Sequence, residues 1–143
     1  MHDELLQFQR NDIWTLVPKP ESEHIISTKW IFRNKTDEEG NVIGKKAHLV
    51  TQGYSQMEGI DYDETFSPVA RMESIKILLA LACHLKFKLY QKYVKTVFLF
   101  GFLKEDVYVA QPKGFINPHF PDHVLYLKKA LYDLKQAPRV WYD

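Results

Sequence analysis

The stretch "STKWIFRNKTDEEGNVIGKKAHLVTQG", residues 27–53, decides the fold. Thr28, Trp30 and Phe32 alternate with Lys29, Ile31, Arg33 and Lys35, a period of two that belongs to a strand. "TDEEGN" breaks the alternation with a polar turn, and Gly40-Asn41 supplies residues that accept positive φ. "VIGKKAHLVTQG" then returns as a second strand, so a β-hairpin is expected over residues 26–52. Its strands carry Lys29, Arg33 and Lys35 on one side of the turn and Lys45 and Lys46 on the other. Such a group can hold phosphates. Asp37, Glu38 and Glu39 in the turn offset it, and a charged face is usually only solvated, so both readings stand.

Outward from the hairpin, residues 2–10 read as a short helix carrying Leu5, Leu6 and Phe8, and "IWTLVPKP" as a strand stopped by Pro18 and Pro20. On the C-terminal side, Ser67-Pro68 is a helix-start signal. Ile75, Leu78, Leu79, Ala82 and Leu85 make one helical face over residues 72–85, and the extra Ile77 and Leu81 imply burial on most sides. "KLYQKYVKTVFLFGFL", residues 88–103, reads as a strand entering a tight turn, and "DVYVAQ" as a further strand. After a Pro-rich loop, "HVLYLKKAL" is its hairpin partner. The order of strands, a buried helix and more strands indicates an α+β fold. Trp141 and Tyr142 fall within the last residues, which reads as truncation inside an element. Exposed apolar surface is expected around Val97, Leu99 and Trp141.

A length of 143 residues suits one domain. A hydrophobic content of 45% supports a core, and a net charge of +1 names no partner. One cysteine, Cys83, excludes an internal disulfide and fits a reducing compartment. "MHDELLQFQRND" lacks the apolar centre of a signal peptide, and the apolar runs fall short of the ~18 residues that cross a bilayer. The expectation is an intracellular chain, with no membrane partner.

Chemistry is hard to find by spacing. Asp61, Asp63 and Glu64 form an acidic cluster without the ligand pattern of a calcium loop, and loop carboxylates more often bond local backbone. The six histidines are scattered, and Cys83 and His84 point apart on a helix. No phosphate-binding glycine loop or nucleophile elbow occurs.

Five collinear segments change the picture. "NDIWTLVPKP", "STKWIFRNK", "DEEGNVIGKKAHLVTQGYSQMEGIDYDETFSPVAR", "VYVAQPKGF" and "LYDLKQAPRVWY" together resemble the copia-type reverse transcriptase domain of long-terminal-repeat retrotransposons. The resemblance implies an RNA-directed DNA polymerase, part of a Pol polyprotein, with fingers and palm subdomains around an RNA/DNA template–primer, in the cytoplasm or the nucleus. Residues up to about 70 would be fingers-like, and residues from about 71 to 143 would begin the palm. Lys29, Arg33, Lys35 and Lys45 would meet nucleic acid. "LKQAPRVW" would open the helix that supports nucleotide and template.

Polymerases of this kind use two magnesium ions held by three aspartates. The family pattern around the first aspartate resembles Gln-Met-Asp-Val-Lys-Ser-Ala-Phe-Leu-Asn-Gly. Here residues 91–101 read "QKYVKTVFLFG", which puts Tyr93 at the aspartate's place. A phenol with a pKa near ~10 offers magnesium no fixed anion. The paired aspartates of a Tyr-Val-Asp-Asp turn do not occur in the sequence, so no metal ligand and no cofactor is expected for this chain.

Other positions depart or match. His48 stands where the family has a triphosphate-contacting arginine, Phe100 replaces a turn asparagine, and Asp133 replaces a glycine where positive φ is required. Lys46 matches a phosphate contact, Phe98 the aromatic under the sugar, and Gln136 the glutamine lying against the nucleotide. Their plainer readings are a solvated lysine, a core phenylalanine and a helix cap. The expectation is a degenerate reverse transcriptase copy that is not catalytic as this chain, with a nucleic-acid-binding module as the alternative.

Overall fold

The structure is a computed structural model that describes residues 1–66, 70–92, 94 and 96–142. Two sheets carry a mixed α/β fold. Helix α1 (His2–Arg10) precedes β1 (Trp14–Val17), and β2 (Ile25–Ile26) runs almost directly into the hairpin strands β3 (Thr28–Thr36) and β4 (Val42–Thr51). Helix α2 (Met72–Leu85) follows, then β5 (Phe102–Val109), β6 (Val124–Lys129) and a short helix α3 (Ala137–Tyr142).

The larger sheet has the order β1-β6-β5-β2, and the hairpin β3-β4 is a separate two-stranded sheet. β6 lies antiparallel between β1 and β5, with Trp14 opposite Leu127 and Val109 opposite Leu125, while β2 adds parallel to β5. The base of the hairpin is anchored by hydrogen bonds. Thr51 donates from its backbone N–H and its hydroxyl to the Tyr132 carbonyl (3.0 and 2.9 Å), and the Gln52 N–H donates to Ser27. Trp30 donates its indole N–H to the Lys113 carbonyl.

The core lies between the larger sheet and the hairpin base. Phe8, Ile13, Ile26, Leu49, Leu99, Val107 and Leu127 are fully buried there. Phe8 comes from α1, as the apolar spacing predicts, and meets Trp14 edge-on at 5.1 Å. Leu6 stays exposed. Gly101 has a packing reason: a Cβ there would come within 2.8 Å of the Val140 backbone in α3.

Four expectations are corrected. Helix α2 spans the expected residues but is not buried. Ile77 is 69% exposed, Leu79 51% and Leu85 60%, and Ala82 alone among its residues is buried. The core cluster is built from α1, the larger sheet, Leu49 of the hairpin, the turn bearing Leu99 and the residues leading into α3, and it includes no residue of α2. Its N-cap is Arg71; Ser67-Pro68 lies outside the described residues.

Second, the described residues from 88 to 94 form no strand. Thr96 takes a left-handed φ of 56° and Val97–Phe100 coil into a 3-10 turn before β5 begins. The positive φ of this region therefore sits at Thr96 and not at Phe100. Third, Leu99 is buried in that turn, while Trp141 is exposed as expected. Fourth, Gly40 has φ +88° but Asn41 is not in the positive-φ region. Asn41 instead donates from its backbone and side-chain amides to the Asp37 carboxylate. Asp133 does take positive φ, at 74°.

Candidate functional site

The hairpin register sorts its cations by face. Arg33 stands directly opposite Lys46, Ile31 opposite His48, Lys35 opposite Gly44 and Lys29 opposite Val50. Cross-strand partners share a face, so Lys29, Arg33, Lys35, Lys46 and His48 lie on one side. Lys45, opposite Asn34, alternates to the other side with Phe32, which is 65% exposed. Like charges directly across a ladder repel by some tenths of a kcal/mol. Among the described residues no acid pairs with Arg33, Lys35 or Lys46. Asp37 accepts from the Asn41 N–H (2.8 Å) and the Glu39 N–H (3.1 Å), and these bonds, the first above all, hold its carboxyl below the usual carboxylate range.

Arg33, Lys35, Lys46, His48 and Tyr132 line an open groove of about 330 Å³. His48 is fixed from two sides. Its Nδ1 lies 2.8 Å from the Glu4 carboxylate, and its ring meets Tyr132 with centroids 5.4 Å apart. A carboxylate only accepts, so Nδ1 carries the hydrogen. Tyr132 also meets Phe98 edge-on at 6.2 Å. Phe98, with Tyr54, Lys135 and Pro138, lines a second groove of about 430 Å³. An aromatic line from His48 through Tyr132 to Phe98 therefore joins the basic groove to a second one that Asp133 also lines. Lys46 and His48 line the first groove and Phe98 the second; Lys29 shares the face of Lys46 without lining the groove, and Lys45 is on the other face.

Gln136 is elsewhere. It is fully buried, its Nε2 donating to the Asp61 carbonyl (3.0 Å) and its Oε1 accepting from Gln56 Nε2 (2.9 Å). Its amide bonds are to the 53–62 loop and not to the N–H groups of α3, so it is a cross-strut and not a helix cap. Gln56 Oε1 accepts in turn from the Lys135 N–H, and Lys135 Nζ reaches the Tyr62 hydroxyl.

Asp61 belongs to the same lock. Only 4% exposed, it accepts from the Met57 N–H (2.7 Å) and from His24 Nδ1 (2.8 Å). Asp63 and Glu64 are exposed. Among the described residues no three His, Cys, Asp or Glu side chains converge on one point. Tyr93 lies outside the described residues. Sequence reasoning missed Glu4 and Tyr132. Glu4 has no local signal, because its partner is 44 residues away. Tyr132 sits inside a quoted motif and could have been found there.

Comparison with known proteins bears on these residues directly. Residues 11–143 match the family described as reverse transcriptase (RNA-dependent DNA polymerase). The chain is 47% identical over 133 residues to the Retrovirus-related Pol polyprotein from transposon RE1 of Arabidopsis thaliana, covering 92% of this chain and 9% of that one. It is 43% identical over 142 residues to the Retrovirus-related Pol polyprotein from transposon TNT 1-94 of Nicotiana tabacum, covering 99% and 11%. No solved structure matches. The chain thus spans about a tenth of the length of these relatives. With nearly all of it matched, and with copia-type transposon polyproteins as its relatives, the chain belongs to the reverse transcriptase (RNA-dependent DNA polymerase) family.

Proposed function

We propose that this chain is a reverse transcriptase segment of a retrotransposon Pol polyprotein that does not polymerise DNA by itself. In this reading the hairpin β3-β4 is the fingers hairpin over the incoming nucleotide, and the residues from about 71 onward begin the palm. The observation that carries the reading is Tyr93, which stands where the family pattern resembles a metal-binding aspartate. A neutral phenol does not clamp magnesium, and Lys92 beside it adds a cation. No Asp-Asp pair occurs in the 143 residues to supply the other two ligands. His48 gives a weaker grip on a triphosphate than the family arginine.

Primer extension tests this. The purified chain, given an RNA template, a DNA primer, magnesium and four deoxynucleotides, should extend nothing, and Tyr93→Asp alone should restore nothing. Incorporation that disappears on chelation overturns the proposal.

A second reading has its own support. The face that sets Arg33 against Lys46 gains from an anion placed between them, and Lys29 and Lys35 extend it. In this reading the chain grips an RNA–DNA duplex through its backbone phosphates, without metal. Gel-shift binding that weakens with salt and with neutralisation of Lys29, Arg33, Lys45 and Lys46 supports it; binding indifferent to those changes removes it.

A further inference from the structure

The Glu4–His48 contact has no place in either reading. Helix α1 brings Glu4 against His48 at 2.8 Å, and the pair is largely withdrawn from solvent, with 13% and 27% side-chain exposure. The helix is held there independently, by Phe8 in the core. His48 is a wall of the basic groove, between the Ile31–Arg33 strand and Tyr132. The matched family region begins at residue 11, so α1 lies ahead of it. Helix α1 thus places a carboxylate one side chain away from a groove lined by Arg33, Lys35 and Lys46.

We propose that Glu4 is a positioning residue of the basic groove. It holds the His48 imidazole by Nδ1, and its charge, carried through that ring, lowers the groove's affinity for phosphate anions. The effect rests on the reading of the groove as a phosphate-binding surface. It differs from a general change of net charge because it depends on place: Asp3, the preceding acid on the same helix, is exposed and does not line the groove. For a unit charge at this separation, in a setting between protein and water, the expected effect is about fivefold in affinity.

The experiment uses the 143-residue chain with a fluorescein-labelled single-stranded 20-mer DNA, without divalent cations, over a salt series, and with inorganic tripolyphosphate as competitor. Glu4→Gln should bind about fivefold tighter than the parent at low salt, lose affinity more steeply as salt rises, and be competed by less tripolyphosphate. Asp3→Asn should stay within about twofold of the parent, and Lys46→Gln should weaken binding in both the parent and the Glu4→Gln background. If Glu4→Gln behaves like Asp3→Asn while Lys46→Gln still weakens binding, the role of Glu4 is overturned and the groove stands. If Lys46→Gln changes nothing, the groove reading fails and the role of Glu4 falls with it. Should far-ultraviolet circular dichroism show that Glu4→Gln has lost α1, His48→Gln decides. That variant leaves Glu4 without its imidazole partner and should bind more weakly than the parent; equal or tighter binding overturns the proposal.

Discussion

Gln136 joins three parts of the chain through one amide, linking the Asp61 carbonyl, the Gln56 side chain and the start of α3. A buried donor or acceptor left unpaired costs about 1–3 kcal/mol. Gln136→Leu should therefore lower stability by about 2 kcal/mol, read as a fall in the urea midpoint with an unchanged slope. Asp133 stores strain of a different kind, since a non-glycine residue at φ +74° has its Cβ crowded against the following carbonyl. Asp133→Gly should stabilise the chain by about 0.5 kcal/mol, part of the relief being offset by the freer unfolded chain. Asp37 responds to pH. Its folded pKa lies below the ordinary 3.8, so the turn gains stability above that value and loses it as pH falls through the lower folded pKa. Amide exchange at Asn41 should accelerate under strong acid relative to amides of β6, and Asp37→Ala should abolish that difference. The left-handed conformation at Asp133 was legible beforehand from a glycine position in the family. The burial of Gln136 was not, because its partners lie 75 and 80 residues away.

At the scale of elements, the hairpin and α2 form an instructive pair. The hairpin forms over its expected residues because alternation, a polar turn and a return strand are all local. Helix α2 also forms where its apolar spacing puts it, yet Ile77, Leu78 and Leu81 remain exposed. Periodicity shows that a face is apolar; it does not show that a surface is there to cover it. Ile77→Lys and Leu81→Lys should each change stability by less than about 0.5 kcal/mol. Leu127→Ala, at a fully buried position of the interior strand β6, should cost about 2–5 kcal/mol. Thermal melts of the three variants check the contrast, and a large loss from either lysine would mean that α2 is packed after all. Residues 88–94 misled for a related reason. Alternating lysines and apolar residues satisfy a strand pattern, but a strand also needs a partner edge, and the described residues there have none.

At the scale of the whole molecule, charge and apolar surface are separated. The cations of the hairpin gather on one face, and the largest exposed apolar run belongs to α2 and the residues after it. For nucleic-acid binding, each phosphate contact removed should flatten the dependence of log affinity on log salt by about one unit. Lys46→Gln and Arg33→Gln should each do so, whereas Lys128→Gln, whose cation is already paired with Asp12 at 2.8 Å, should not. Equal slopes for all three would place the contact elsewhere.

The sequence by itself determined the family, the hairpin and its turn, and the supply of cations, because each is written in neighbouring residues or in their order. Only the tertiary structure decided which cations share a face with His48, that Gln136 is enclosed, that Glu4 reaches His48, and that α2 is left uncovered. Those depend on register and on contacts between residues tens of positions apart, and a one-dimensional pattern holds no term for the distance between them.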